Sequence, residues 1–325
     1  MTHHQTNPNK MSFFKTILIC SILIIGSQSF GQITEKNYKI YSTKANKEVP
    51  LNDILEDMKN NDVLFFGEGH NDSVAHYLEA KILEMFYQKF AGNTALSMEM
   101  FERDVQTVMN EYLQGSIREK NFTKDARVWS NYRDYKPMVE FAKSNKLDVI
   151  CANAAARYSN LAVRKGLKGL MVLPNESKNN FAPLPYDTAS GKYYEKLQTL
   201  FGSGPSHTST PSVTDTIKKA PSMPPMPQMN LIMGQSLWDA TMAYSISQYL
   251  AKNKNKKVLQ VNGRFHSEEG FAAVTQLKKY RPKTKILIVT SISDDSFPNI
   301  DWNGLKNLGD YIIATDPTVP RTFKE

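Results

Sequence analysis

The chain has 325 residues, of which 41% are hydrophobic and 22% charged, and a formal net charge of +8. This composition excludes a disordered or fibrous protein and fits a packed soluble one, either one large domain or two small ones. The basic excess is dispersed apart from the KNKNKK run at residues 252–257, and no zinc-knuckle, helix-turn-helix or RNA-binding signature goes with it. Nucleic acid is therefore not an expected partner.

Lys10 and Lys15 flank the start of an apolar run at residues 13–26, and Ser29-Phe30-Gly31 closes the segment with a small-x-small pattern. A basic start, a short apolar core and small residues at the exit describe a secretory signal peptide over residues 1–31. The core falls short of the roughly 20 residues a membrane-spanning helix needs. Leu18-Ile19 precede Cys20 where a lipobox requires a small residue, so the exported protein is not expected to be a lipoprotein. Removing residues 1–31 takes away two lysines and no acid, leaving +6, with Cys151 as the one remaining cysteine. A single thiol cannot close an internal disulfide, so the core must supply the stability.

The body begins with a helical stretch at residues 51–58. Residues 63–66 (VLFF) form a continuous apolar run, the pattern of a buried strand, ending at Gly67-Glu68-Gly69-His70. A helix follows over residues 73–90, with Asp72 or Ser73 as its N-cap. Residues 94–98 read as a second strand ending at Glu99, followed by a helix bearing Val105, Val108, Met109 and Tyr112. Residues 148–152 (DVICA) form a third, ending at Asn153. Residues 257–261 (KVLQV) form a fourth, running into Asn262-Gly263-Arg264-Phe265-His266 and a helix near 268–279. Residues 285–289 (KILIV) form a fifth. Alternating strands and helices predict an α/β fold, a largely parallel sheet with helices on both faces, in one domain over residues 32–325. Residues 202–230, rich in Pro, Ser, Thr and Met, interrupt the pattern as a flexible or lid-like insert.

Ligands of open α/β sheets bind outside the carboxyl ends of the strands. Glu68, His70, Glu99, Asn153 and His266 all stand there. After export four histidines remain, and His70 and His266 each lie three residues after a glycine in a G-x-x-H arrangement. Two imidazoles and two carboxylates suit a zinc, manganese or iron site, or act as acid, base and orienting partner without metal. The bland alternative is a set of unrelated loop residues with satisfied hydrogen bonds. His76 is read as a packing or surface residue, because six helical positions from His70 would point it elsewhere, and His207 as solvated in the insert.

The GEGH sequence after an apolar strand, together with Ser97-Met98-Glu99-Met100-Phe101, resembles the ChaN-like family, grouped with Tiki and TraB proteins and more remotely with erythromycin esterases. So do WSNYRDYKP (129–137), Ala152-Asn153, QSLWDATMA (235–243) and NGRFH (262–266). The resemblance implies export to the periplasm or the outer membrane and a part in haem or iron acquisition with envelope uptake components, with a homodimer as one arrangement. It maps the polar heart onto His70, Glu99 and His266, with Glu68 beside the first histidine; Tiki-type relatives use that heart as a metal-dependent protease site. The family often has Pro-Arg after its Ala-Asn; here Arg157 stands in that role one residue later.

Three readings follow. In the first, the protein binds haem, with Tyr132, Tyr135 and Trp129 lining a slot and Arg133 or Arg157 pairing with the propionates; Asn153 and Asp239 complete the candidate ligand contacts. In the second, it is a metal-dependent hydrolase whose metal is held by His70, Glu99 and His266, with the other glutamate as base. In the third, it is a non-catalytic envelope adaptor or metal chaperone that uses the methionines of the insert.

Overall fold

The apolar runs become the inner strands of an eight-stranded sheet in the computed structural model, which describes residues 1–2, 33–202 and 228–323. The strands are β1 (Tyr38–Ser42), β2 (Lys47–Glu48), β3 (Val63–Glu68), β4 (Thr94–Glu102), β5 (Asp148–Asn153), β6 (Lys257–Gly263), β7 (Ile286–Ser293) and β8 (Tyr311–Thr315). They lie in the order β2-β1-β8-β7-β3-β6-β4-β5. From β8 to β5 every neighbouring pair is parallel, while β1 runs antiparallel to both β8 and β2. The helices are α1 (Asn52–Asp57), α2 (Ser73–Phe90), α3 (Gln106–Leu113), α4 (Glu119–Asp125), α5 (Tyr132–Ser144), α6 (Ala156–Met171), α7 (Asn175–Lys178), α8 (Gly191–Gly202), α9 (Gln228–Lys252) and α10 (Ala272–Tyr280).

Strand residues alternate between two cores. Leu64 and Phe66, Leu96 and Met98, Leu259 and Val261 meet α2, α3 and α5 on one face. Val63 and Phe65, Ala95 and Val258 meet α9 and α10 on the other. Because both faces are covered, these strands read as unbroken apolar runs rather than as an alternation. The helices thus sit on both faces of a largely parallel sheet, the expected α/β class.

α2 starts and ends where its sequence signals place it. Asp72 caps it by accepting from Val74 N at 2.9 Å and Ala75 N at 3.2 Å. Three features depart from the expectations. β8 extends the parallel part of the sheet and β1 and β2 add an antiparallel margin, none of which the sequence announced. The helix expected at 268–279 is a turn of 3-10 helix (Glu268–Gly270) followed by α10, because Glu269 adopts a left-handed conformation with φ 60°. α9 begins at Gln228, inside the expected insert; it touches α6, α8, α10 and β5, so its apolar residues surround it and leave no one-sided pattern.

The described residues from 33 onward form one compact unit. The expected signal peptide, and insert residues 203–227 with His207, lie outside the described residues. Among the described residues no helix is long and apolar enough to cross a membrane.

Candidate functional site

Parallel pairing sets the geometry of the rim. β3 and β6 are neighbours with Glu68 opposite Gly263, and β4 flanks β6 with Met98 opposite Val261. The two G-x-x-H loops therefore leave adjacent strands at almost the same height. Beyond Met98 the register of β4 against β5 shifts, an irregularity of the kind that re-aims a side chain. Glu99 sits in that shift, and its Oε2 accepts a hydrogen bond from Gly263 N at 2.7 Å.

One half of the site lies on the α2–α5 face. The buried Glu68 accepts at Oε1 from Tyr135 Oη at 2.7 Å and from His70 Nδ1 at 2.8 Å. Its Oε2 is 2.9 Å from His76 Nε2, out of hydrogen-bonding alignment. Burial pushes the Glu68 carboxyl up, but the His76 charge and both imidazole contacts together outweigh it and hold Glu68 ionised well below the usual range. Burial lowers His70 and His76, yet their carboxylate neighbours raise both above the ordinary histidine value. Glu79, one helical turn beyond His76 and fully buried, is pushed well up, first by burial and then by the Glu68 charge.

The other half lies on the α9 face. His266 Nδ1 donates to Asp239 Oδ1 at 2.6 Å, and its Nε2 is 3.5 Å from Glu99 Oε1. Tyr193 Oη donates to Asp239 Oδ2 at 2.8 Å. Burial lowers His266, but the charges of Glu99 and Asp239 prevail and raise it to about 9, so an imidazolium sits between two carboxylates at neutral pH.

Gly263 joins the halves. A Cβ there would stand 2.7 Å from His70 Nε2, so a residue without a side chain is needed for the ring to lie against β6. Gly67 is equally constrained: a Cβ would meet Arg264 Cα at 2.8 Å. The His70 ring, with 23% of its side chain exposed, contacts Trp129 edge-on at 5.2 Å between centroids. It also feels the charges of Glu99 and His266 across the rim.

Glu68, His70, Glu99 and His266 thus share one rim, arranged as two carboxylate–imidazole units. His70, Glu99 and His266 do not come within mutual ligand spacing: among the described residues that closeness, 4.8 Å or less between all ligand atoms, belongs to Glu68, His76 and Glu79. His76 is not a surface residue: it is buried in the core edge-on to Tyr135, as the packing alternative had it, and it is also aimed at Glu68. His70 precedes the Asp72 cap, so helical periodicity does not relate the two positions, and the chain folds back to aim both at Glu68.

Of the expected ligand contacts, Tyr135 and Asp239 are buried partners of Glu68 and His266. Tyr132 is not at the rim but packs its ring against Phe101 and Phe122. Asn153 turns its Oδ1 back to Ala154 N at 2.8 Å. Arg157 pairs with Asp104 at 2.6 Å and stacks on Tyr158, and Arg133 donates to Thr322 O at 2.6 Å. Sequence reasoning missed Glu79 and Tyr193. Acid at i+3 from His76 was the available signal for the first; the second comes from α8 and had none.

The fold and this rim define an α/β protein with two carboxylate-held imidazoles at the carboxyl ends of adjacent central strands. The chain belongs to the family described as haem-binding uptake, Tiki superfamily, ChaN, whose model matches residues 54–277. A solved structure described as "Cofacial heme binding to ChaN of Campylobacter jejuni" is similar in fold, with a TM-score of 0.63 and 17% identity over 86% of this chain and 97% of that one. No curated protein matches the chain.

Proposed function

We propose that this protein is an exported haem-binding protein acting in haem or iron acquisition at the periplasm or outer membrane. The observation that carries the reading is the family match, which runs through both G-x-x-H loops and every rim residue. The rim fits the chemistry on one side. Haem iron takes a histidine or tyrosine ligand, and a ligating histidine is oriented by a carboxylate on its other nitrogen. Glu68 holds His70 Nδ1 in that way, and the His70 side chain is 23% exposed at the rim. The Tyr135 hydroxyl is committed to Glu68 and the Tyr132 hydroxyl is buried, so His70 with Trp129 is the better-placed pair. Bound iron supplies the redox and ligand-exchange chemistry; the chain orients His70 and excludes water behind it.

Hemin titrated into the exported protein should produce a saturating Soret shift, and His70→Ala should weaken binding by roughly tenfold or more. No shift, or haem stripped readily by albumin, overturns the reading. Light scattering with and without hemin reads out whether binding is accompanied by a homodimer.

A metal-dependent hydrolase is the second reading, favoured by the Asp239–His266–Glu99 arrangement, in which a carboxylate orients an imidazole toward another acid. Peptide hydrolysis restored by manganese or cobalt after chelation, and lost in His266→Ala, would replace haem binding as the function.

A further inference from the structure

Buried polar atoms in folded proteins nearly always have partners, and each exception asks for an explanation such as an ion. Among the described residues one buried cluster has fewer hydrogen-bond partners than polar atoms: Glu68 Oε2 and His76 Nε2 meet as an unaligned ion pair, His76 Nδ1 has no hydrogen-bond partner, and the Glu79 carboxyl has none besides Glu68. Glu68, His76 and Glu79 each offer a ligand atom, all within 4.8 Å of one another, and all three residues are buried. The 2.9 Å approach of His76 Nε2 to Glu68 Oε2, unaligned for a hydrogen bond, is close to the spacing of neighbouring ligand atoms around a cation bound at about 2.0–2.1 Å.

We infer that Glu68, His76 and Glu79 form a buried site for a divalent transition-metal cation, behind the rim and separate from the His266 half. Two carboxylates neutralise a divalent charge, and an imidazole ligand suits zinc, manganese or iron better than calcium or magnesium, which favour oxygen donors throughout. Asp72 and Asp134 add negative charge around His76. Glu68 couples this site to the rim, because its Oε1 holds the partly exposed His70 while its Oε2 faces His76. The inference does not depend on haem binding.

The test is a titration of the chelator-stripped full chain with cobalt(II) alone, followed by visible absorption, with no haem present. One saturating equivalent is expected, displaced by zinc. Glu79→Gln, near-isosteric with the protonated acid, should weaken it by roughly tenfold or more while circular dichroism stays unchanged, and His76→Ala should abolish it. If His76→Ala does not fold, Glu79→Gln decides. Absence of cobalt bands, bands that survive Glu79→Gln, or bands removed by His266→Ala but not by Glu79→Gln overturn the inference.

Discussion

His266 carries a pH dependence that can be measured. Its imidazolium is held by Asp239 and Glu99, with a folded pKa of about 9 against an ordinary value near 6.5. The stabilisation is complete below about pH 6.5 and is lost as pH rises through about 9, a change on the order of 3 kcal/mol at about 1.4 kcal/mol per pH unit. Urea unfolding between pH 6 and 9.5 should show the fall, and His266→Gln should flatten much of it; an identical slope in the variant refutes the assignment. His70 and His76, also raised, account for a residual slope of the same sign. The two rim glycines should differ in substitution. Gly263→Ala meets a side chain, His70, which can swing aside at the cost of its Glu68 bond, whereas Gly67→Ala meets the backbone of Arg264. Denaturation should therefore rank Gly67→Ala as the more damaging, with Gly263→Ala costing about 1–3 kcal/mol and weakening hemin binding.

At the scale of elements, α2 positions the interior half of the site, since His76 and Glu79 lie on it and Asp72 caps it. The cap also ties the helix to the last strand, as Thr315 Oγ1 donates to Asp72 Oδ2 at 2.5 Å. Asp72→Ala should cost about 0.5–2 kcal/mol for the cap alone, read from the urea midpoint, while Asp72→Asn should recover most of it. A loss in Asp72→Asn equal to that in the alanine variant would show that charge, not capping, is what matters there. The strands central to the sheet were legible because burial on both faces demands continuous apolar runs. β1 and β2 were not: they are short, one lies at the margin, and their partly exposed residues carry no strong period.

For the whole molecule, the order of the strands matters more than their order in sequence. β8 is the last strand in the chain, yet it lies between β7 and β1. A chain ended after Asp310 would leave β7 as a bare edge and detach the β1–β2 pair from the sheet, so it should show no cooperative unfolding transition. One ended after Val319 should retain the transition. Circular dichroism through a denaturant series checks both, and a cooperative transition in the shorter chain would contradict the topology. The export proposal is tested at the same scale: mass spectrometry of the secreted protein should find an N-terminus close to residue 32.

From its residues alone the chain announced an α/β fold, the start and cap of α2, and four acids and imidazoles at strand ends, because period, capping and glycine placement are local properties. It did not announce that these side chains divide between the two faces of the sheet. Nor did it reveal that His76 and Glu79 turn inward to Glu68, or that Asp239 and Tyr193 orient His266. Those partnerships join residues from elements far apart in sequence, and only the parallel register of β3, β6 and β4, with α2, α8 and α9 packed over their ends, brings them together. Burial and neighbours then tune their charges, since the same carboxyl group is held down at Glu68 by its imidazoles and pushed up at Glu79 by burial and the Glu68 charge.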